Sequence, residues 1–189
     1  MGANTWVQPG ISYNAIPVVL YGPNLIANSP NGSWAKTNFE DGTIAGWQPA
    51  QNCSLANSTA QAYDGTHSLA VTATAAADMY PTAWASGTSG PLVMPGAPYT
   101  MQAYVRAATV GRNTTCQLQF LNFSGTNVFT TPANYIPDVT TGWTLIYTNG
   151  IAPATAFYVQ PLVYFQAPAL SEVHYIDAVS VNQGMFYPV

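Results

Sequence analysis

The sequence predicts an all-β chain, an antiparallel sandwich or barrel. Three observations predict it. From about residue 36 onward, apolar and polar side chains alternate with a period of two. Clusters of Gly, Pro and Asn cut the chain into short segments at the spacing of strands and turns. No stretch carries the period of an amphipathic helix, and no internal repeat is visible.

Taken in order, residues 1–35 stand apart. Pro9, Gly10, Pro17, Gly22, Pro23, Pro30 and Gly32 interrupt every short apolar run, so no helix persists there. Residues 16–21 could form one edge strand with Pro17 near its start. Trp6, Tyr13, Val18, Val19, Leu20 and Tyr21 are too apolar for a solvated leader. The expectation is an extended N-terminal arm that docks on another subunit of a homo-oligomer. Strands are then predicted over 67–74, 79–85, 98–107, 115–122, 144–148, 157–165 and 173–181. The alternation is clearest over 98–107, with Tyr99, Met101, Ala103 and Val105 on one face and Thr100, Gln102, Tyr104 and Arg106 on the other. In 115–122, Cys116, Leu118 and Phe120 oppose Gln117 and Gln119. The segments 86–91 and 95–98 and the pair Asn149-Gly150 supply turns between strands.

Composition narrows the function classes. Of 189 residues, 48% are apolar and only 5% charged, against roughly 25% charged in an average soluble domain. One core-forming domain is expected at this length. The polar surface must come from Asn, Thr, Ser and Gln, a texture expected of secreted, cell-surface or virion proteins. Lys36, Arg106 and Arg112 are the whole cationic inventory, and the net charge is -4. That argues against nucleic acid and against an anionic membrane surface as partners. No apolar run reaches transmembrane length. The first residues lack the basic start and apolar stretch of an export signal, and the Met start favours assembly into a phage particle released by lysis. Cys53 and Cys116 leave two readings open, a disulfide or two buried thiols.

Five motifs in order resemble a known family. They are Asn38-Phe-Glu-Asp-Gly-Thr43 with Gly46-Trp47; Tyr63-Asp-Gly-Thr-His-Ser-Leu-Ala-Val71; Tyr99-Thr-Met-Gln-Ala-Tyr-Val-Arg106; Gly142-Trp-Thr-Leu145; and Tyr175-Ile-Asp-Ala-Val-Ser-Val181. This pattern resembles the jelly-roll carbohydrate-binding modules of families 4, 9 and 22, over residues 36–183. The resemblance implies a jelly-roll β-sandwich flanked by the arm (1–35) and a C-terminal tail (184–189). Similar modules also occur in phage tail and capsid-surface proteins, and the fold alone does not fix the function.

Catalysis has thin support. Glu40 and Asp41 are adjacent in a turn, His67 and His174 lie far apart, and nothing in the sequence pairs Glu172 or Asp138 with another acid. No nucleophile-elbow, phosphate-loop or zinc-protease motif occurs, and a glycosidase needs two carboxyls held across a bond. A non-enzyme is expected. Similar modules carry a structural Ca2+ where the first and last strands meet, and Glu40, Asp64 and Asp177 match those positions. Ala178 stands where the family often has a second acid. The alternative is that Glu40 and Asp64 serve turns while Asp177 bonds loop amides. The family binds glycan through aromatic rings and amides on a sheet. Here the outward half of the alternation offers Tyr80, Trp84, Tyr104, Arg106, Gln117, Gln119, Tyr158 and Gln160, or else an ordinary Tyr-rich surface. Trp47 and Trp143 read as core residues.

The expectation is a non-catalytic phage virion protein, in capsid decoration or the tail, whose sandwich faces outward and touches host glycans. The alternative is a free carbohydrate-binding module of a secreted polysaccharide hydrolase. A small lectin-like adhesin is a third reading.

Overall fold

The computed structural model describes residues 23–27, 35, 37–83 and 90–186. Among them are eleven strands and no α-helix, hence no helix long and apolar enough to cross a membrane. The strands are β1 (Trp47–Gln51), β2 (Cys53–Ser58), β3 (Ser68–Ala73), β4 (Tyr80–Ala83), β5 (Pro98–Ala107), β6 (Asn113–Leu121), β7 (Asn127–Thr130), β8 (Ile136–Pro137), β9 (Thr144–Ile151), β10 (Tyr158–Phe165) and β11 (Val173–Gln183). They form two antiparallel sheets. The first runs β1-β4-β10-β6-β7, with β8 also on β6; the second runs β2-β3-β11-β5-β9. The protein is an all-β jelly-roll sandwich, as its alternation and motifs predict.

The period of two builds the core. Cys116, Leu118 and Phe120 of β6 and Val159, Val163 and Phe165 of β10 point inward from the first sheet. Tyr99, Met101, Ala103 and Val105 of β5 and Ile176, Val179 and Val181 of β11 meet them from the second. Ile176 and Val179 are three apart because β11 bulges after Asp177, where Ala178 takes a φ of 47°. The bulge shifts the parity of the strand and turns Asp177 away from the core.

Beyond that bulge β11 parts from β3, which pairs it only over Val173–Ile176. The freed edge is filled by the chain's own beginning. Leu25 donates its N–H to the Val181 carbonyl at 2.7 Å, and Asn24 bonds both Val179 and Val181 through its amide. The Val179 N–H donates to the Thr37 carbonyl. Ile26 and Ala35 are buried in the core. The sandwich therefore begins before residue 36, because an unpaired edge beside the core needs partners for its amides. The expected strand over 16–21 and the rest of the arm lie outside the described residues. At the other end the tail starts on the sandwich. Gly184 and Phe186 hydrogen-bond Pro98, Thr100 and Asn149, and Phe186 packs edge-on against Tyr147.

Cys53 and Cys116 are free, buried thiols, and burial pushes both up from the ordinary thiol range. Trp47 is core as expected; Trp143 is only half-buried and sets its edge against Tyr63.

Candidate functional site

Each sheet has an outer face, and the two are treated differently. On the first sheet, alternation turns Tyr80 and Thr82 of β4 outward. Beside them stand Tyr158, Gln160, Leu162 and Tyr164 of β10 and Thr115, Gln117 and Gln119 of β6. Thr82, Leu162 and Thr115 are nevertheless buried, and the tyrosines and glutamines are half-buried around them. Register brings them abreast: Gln160 faces Gln119, Leu162 faces Gln117 and Thr82, and Tyr164 faces Thr115. At one end the Tyr80 and Tyr164 rings lie 6.0 Å apart and nearly parallel, at 19°. Tyr135 meets Tyr164 edge-on, also at 6.0 Å. Burial, and then the nearby Asp78 carboxylate, push the Tyr164 phenol up. At the other end Tyr158 packs against Phe157, which meets the exposed Phe123. Glutamines lie between the two aromatic ends. Gln117 is oriented by its bond to the Thr131 carbonyl at 2.9 Å.

Five of the eight predicted glycan-contact residues share this face: Tyr80, Gln117, Gln119, Tyr158 and Gln160. Trp84 lies outside the described residues. Tyr104 and Arg106 stand on the outer face of the second sheet, across the sandwich, because alternation marks outward side chains but not which sheet carries them. Sequence reasoning missed Tyr164 and Tyr135. Tyr164 was available in the same alternation as Tyr158 and Gln160. Tyr135 sits in an irregular segment that carries no period.

The second outer face is covered by the chain itself. Tyr63 stacks on Tyr104 with centroids 3.6 Å apart, and Arg106 donates to the Thr140 carbonyl at 2.8 Å. Two carboxylates hold the covering loop. Asp177 accepts the N–H groups of Tyr63 (2.8 Å), Asp64 (3.1 Å) and Ala178 (2.7 Å). Glu40 accepts the N–H groups of Thr66 and His67 and the Thr66 hydroxyl. Those amides, His67 first, hold the Glu40 carboxyl below its usual range. Burial outweighs the amides at Asp177, whose carboxyl is raised. Gly65 permits the grip, since it adopts a φ of 75° and a Cβ there would collide with the Glu40 carboxyl group.

This geometry bears on the expected calcium. Glu40 and Asp177 are turned toward amide N–H groups, whose dipoles would oppose a cation, and Asp64 joins them through its backbone N–H. Among the described residues no three His, Cys, Asp or Glu gather as a metal-binding group. As arranged, the two carboxylates fasten the loop to the sheet through these amides.

The structure also gathers four groups that the sequence left scattered. His174 is fully buried against Phe165, with Nδ1 2.6 Å from Asp138 and Nε2 3.1 Å from Glu172. Arg112 donates through Nε and one Nη to the two oxygens of Glu172, both at 2.7 Å. The Arg112 N–H donates to Asp138 at 2.6 Å. The Arg112 guanidinium, above all, holds the Glu172 carboxyl down at about 2. The histidine and Asp138 are sealed from solvent, so this cluster ties the ends of β6, β8 and β11 together, and only the Arg112 side chain, 29% exposed, reaches the surface.

No protein-family model matches the chain, and no curated protein matches it. Solved structures do. The CBM22-1 xylan-binding domain of Xyn10C from Paenibacillus barcinonensis superposes with a TM-score of 0.62 at 15% identity, over 80% of this chain and 94% of that one. The C-terminal family 22 carbohydrate-binding module of Clostridium thermocellum Xyn10B gives 0.61 at 19%, over 85% and 99%. An arabinose-bound α-L-arabinofuranosidase, MgGH51, gives 0.62 at 17%, over 84% of this chain but 28% of that one. At such identities the likeness carries the fold: the chain has the jelly-roll architecture of carbohydrate-binding modules.

Proposed function

We propose that the chain is a non-catalytic glycan-binding module whose site is the outer face of the first sheet. One observation carries the reading. Tyr80, Tyr135, Tyr164 and Tyr158 bracket Gln117, Gln119 and Gln160 on one sheet face, in a fold shared with xylan-binding domains. Tyrosine rings offer flat apolar surfaces to the C–H faces of sugar rings, and glutamine amides donate to and accept from hydroxyls. The backbone of a sheet is ordered before binding, so only side-chain ordering is left to oppose it. From Tyr158 to Tyr164 the face runs roughly 20 Å, long enough for an oligosaccharide.

The test is affinity electrophoresis against soluble xylan, β-glucan and mannan, with a glycan array alongside. Retardation by at least one β-linked polysaccharide is the expected result. Free migration through all of them, with a blank array, would remove the reading.

Two settings suit such a module. The structural neighbours favour a secreted polysaccharide hydrolase that carries it. The scarcity of charge, 5% of residues, suits that setting and equally display on a virion, in capsid decoration or the tail, where host attachment through glycan and homo-oligomer contacts through the N-terminal arm would follow. The genes beside this one separate the settings, hydrolase domains supporting the first and capsid or tail genes the second.

A further inference from the structure

The first sheet's outer face does not stop at its tyrosines. Asp78 lies two residues before Tyr80, Gln166 two after Tyr164, and Asn113 two before Thr115. The strand period therefore brings all three to the same outer face, one step further along. Pairing continues that far. Met79 bridges Phe165, and the Gln166 N–H donates to the Asn113 carbonyl at 2.9 Å. Together with Gly111, Arg112 and Ala167 they line a pocket of about 420 Å³, within the size range of small-ligand sites.

Resting on the glycan reading of the face, we infer that this pocket is a further subsite. It holds one neutral, hydroxyl-rich sugar ring by hydrogen bonds alone. The walls contain no aromatic ring, so stacking has no part in it. Donors and acceptors are interleaved and held in place. The Asn113 amide donates to the Gln166 side-chain oxygen at 3.1 Å, and Asp78 accepts the Ala167 N–H at 2.8 Å. Arg112 spends two of its five N–H groups on Glu172, and its position is fixed from below by the buried Asp138–His174 pair. Charge selects against an acidic sugar. Arg112 is already neutralised by Glu172, and the lining also carries the Asp78 carboxylate. Hydroxyls, which both give and take hydrogen bonds, match this mixture; carboxylates and sulfates do not. The pocket is shared out between three strand ends, so an oligosaccharide seated on the tyrosines gains these bonds only when it is long enough to extend past Tyr164. From Tyr158 to Gln166 the track is roughly 26 Å.

The experiment is titration calorimetry with xylo- and cello-oligosaccharides from dimer to hexamer. It compares the unaltered protein, the Asn113→Ala/Gln166→Ala variant and the Tyr164→Ala variant. The unaltered protein is expected to tighten by about tenfold at the length that first reaches the pocket, the worth of one or two net hydrogen bonds. The pocket variant should lose that step and stay within about twofold of the unaltered protein on shorter ligands. Tyr164→Ala should weaken every length. The side-chain amide signals of Asn113 and Gln166, followed by NMR in the unaltered protein, should move with long ligands and stay still with short ones. A pocket variant that keeps the step, or that weakens short and long ligands alike, overturns the subsite while leaving the face intact, as do amide signals that never move. An unaltered protein that binds neither series overturns the face and the subsite together.

Discussion

The outer faces of the two sheets start from similar material and end differently. Both present tyrosines and polar side chains at alternate positions. On the second sheet, Tyr104 is stacked under Tyr63 and Arg106 is bonded to Thr140, because Asp177 and Glu40 draw the 61–67 loop down over the strands. On the first sheet the 131–135 segment reaches only one end of the face, where it bonds Gln117 and Thr115 and sets Tyr135 against Tyr164, while Tyr80 and Tyr164 lie nearly parallel to each other. An outward aromatic is thus a candidate ligand contact only after the loops have been placed. Two carboxylates decide that placement here.

The largest expected effect tests the face itself. Removing both rings in Tyr80→Ala/Tyr164→Ala should weaken oligosaccharide binding by about a hundredfold, two stacking contacts at roughly tenfold each. Tyr104→Ala should leave affinity unchanged and lower the melting temperature. Equal losses of binding from the two sheets would erase the contrast.

Next is the loop grip. Gly65→Ala forces a left-handed backbone on a residue with a Cβ and drives that Cβ into Glu40. A loss of about 2 kcal/mol is expected in urea unfolding, with glycan affinity kept. An unchanged urea midpoint would show that the grip is dispensable.

The anchoring of the pocket rim gives a smaller, pH-dependent effect. Arg112 holds the Glu172 carboxyl down to about 2 from an ordinary 4.5. A carboxyl depressed by folding stabilises the native state above its unfolded value, and that stability disappears as acid protonates the folded form. Glu172 should therefore contribute fully near neutrality and lose about 1 kcal/mol by about pH 3.5. Urea midpoints across this window should fall less steeply in Glu172→Gln; parallel slopes would contradict the pairing. The smallest expected effect is that of EDTA. With Glu40 and Asp177 turned toward amides, the chelator should leave the melting temperature where it was, and a clear drop would restore a metal to the loop.

The sequence carried much of this architecture. Strands β3, β5, β6 and β9 to β11 announce themselves because each buries largely alternate apolar residues, and β4 follows from its place between turn signals. β1 and β2 were silent: Trp47–Gln51 contains Pro49 and buries only its first residue, and Cys53–Ser58 is half polar and likewise buries only its first. β7 and β8 are too short and too exposed to hold a period. The β11 bulge was invisible as well, since alternation read through Asp177 assumes an unbroken strand. As for the site, outward residues were legible but their partition between two sheets was not. Nor was the meeting of Arg112, Asp138, Glu172 and His174, whose contacts span 36 and 60 positions of sequence.

The two sealed thiols have a consequence of their own. With Cys53 and Cys116 unbridged inside the core, no covalent lock has to form before the sandwich is finished, and none can be undone afterwards. The same molecule can mature in a reducing cytosol and work in an oxidising medium, keeping one shape through the passage between them.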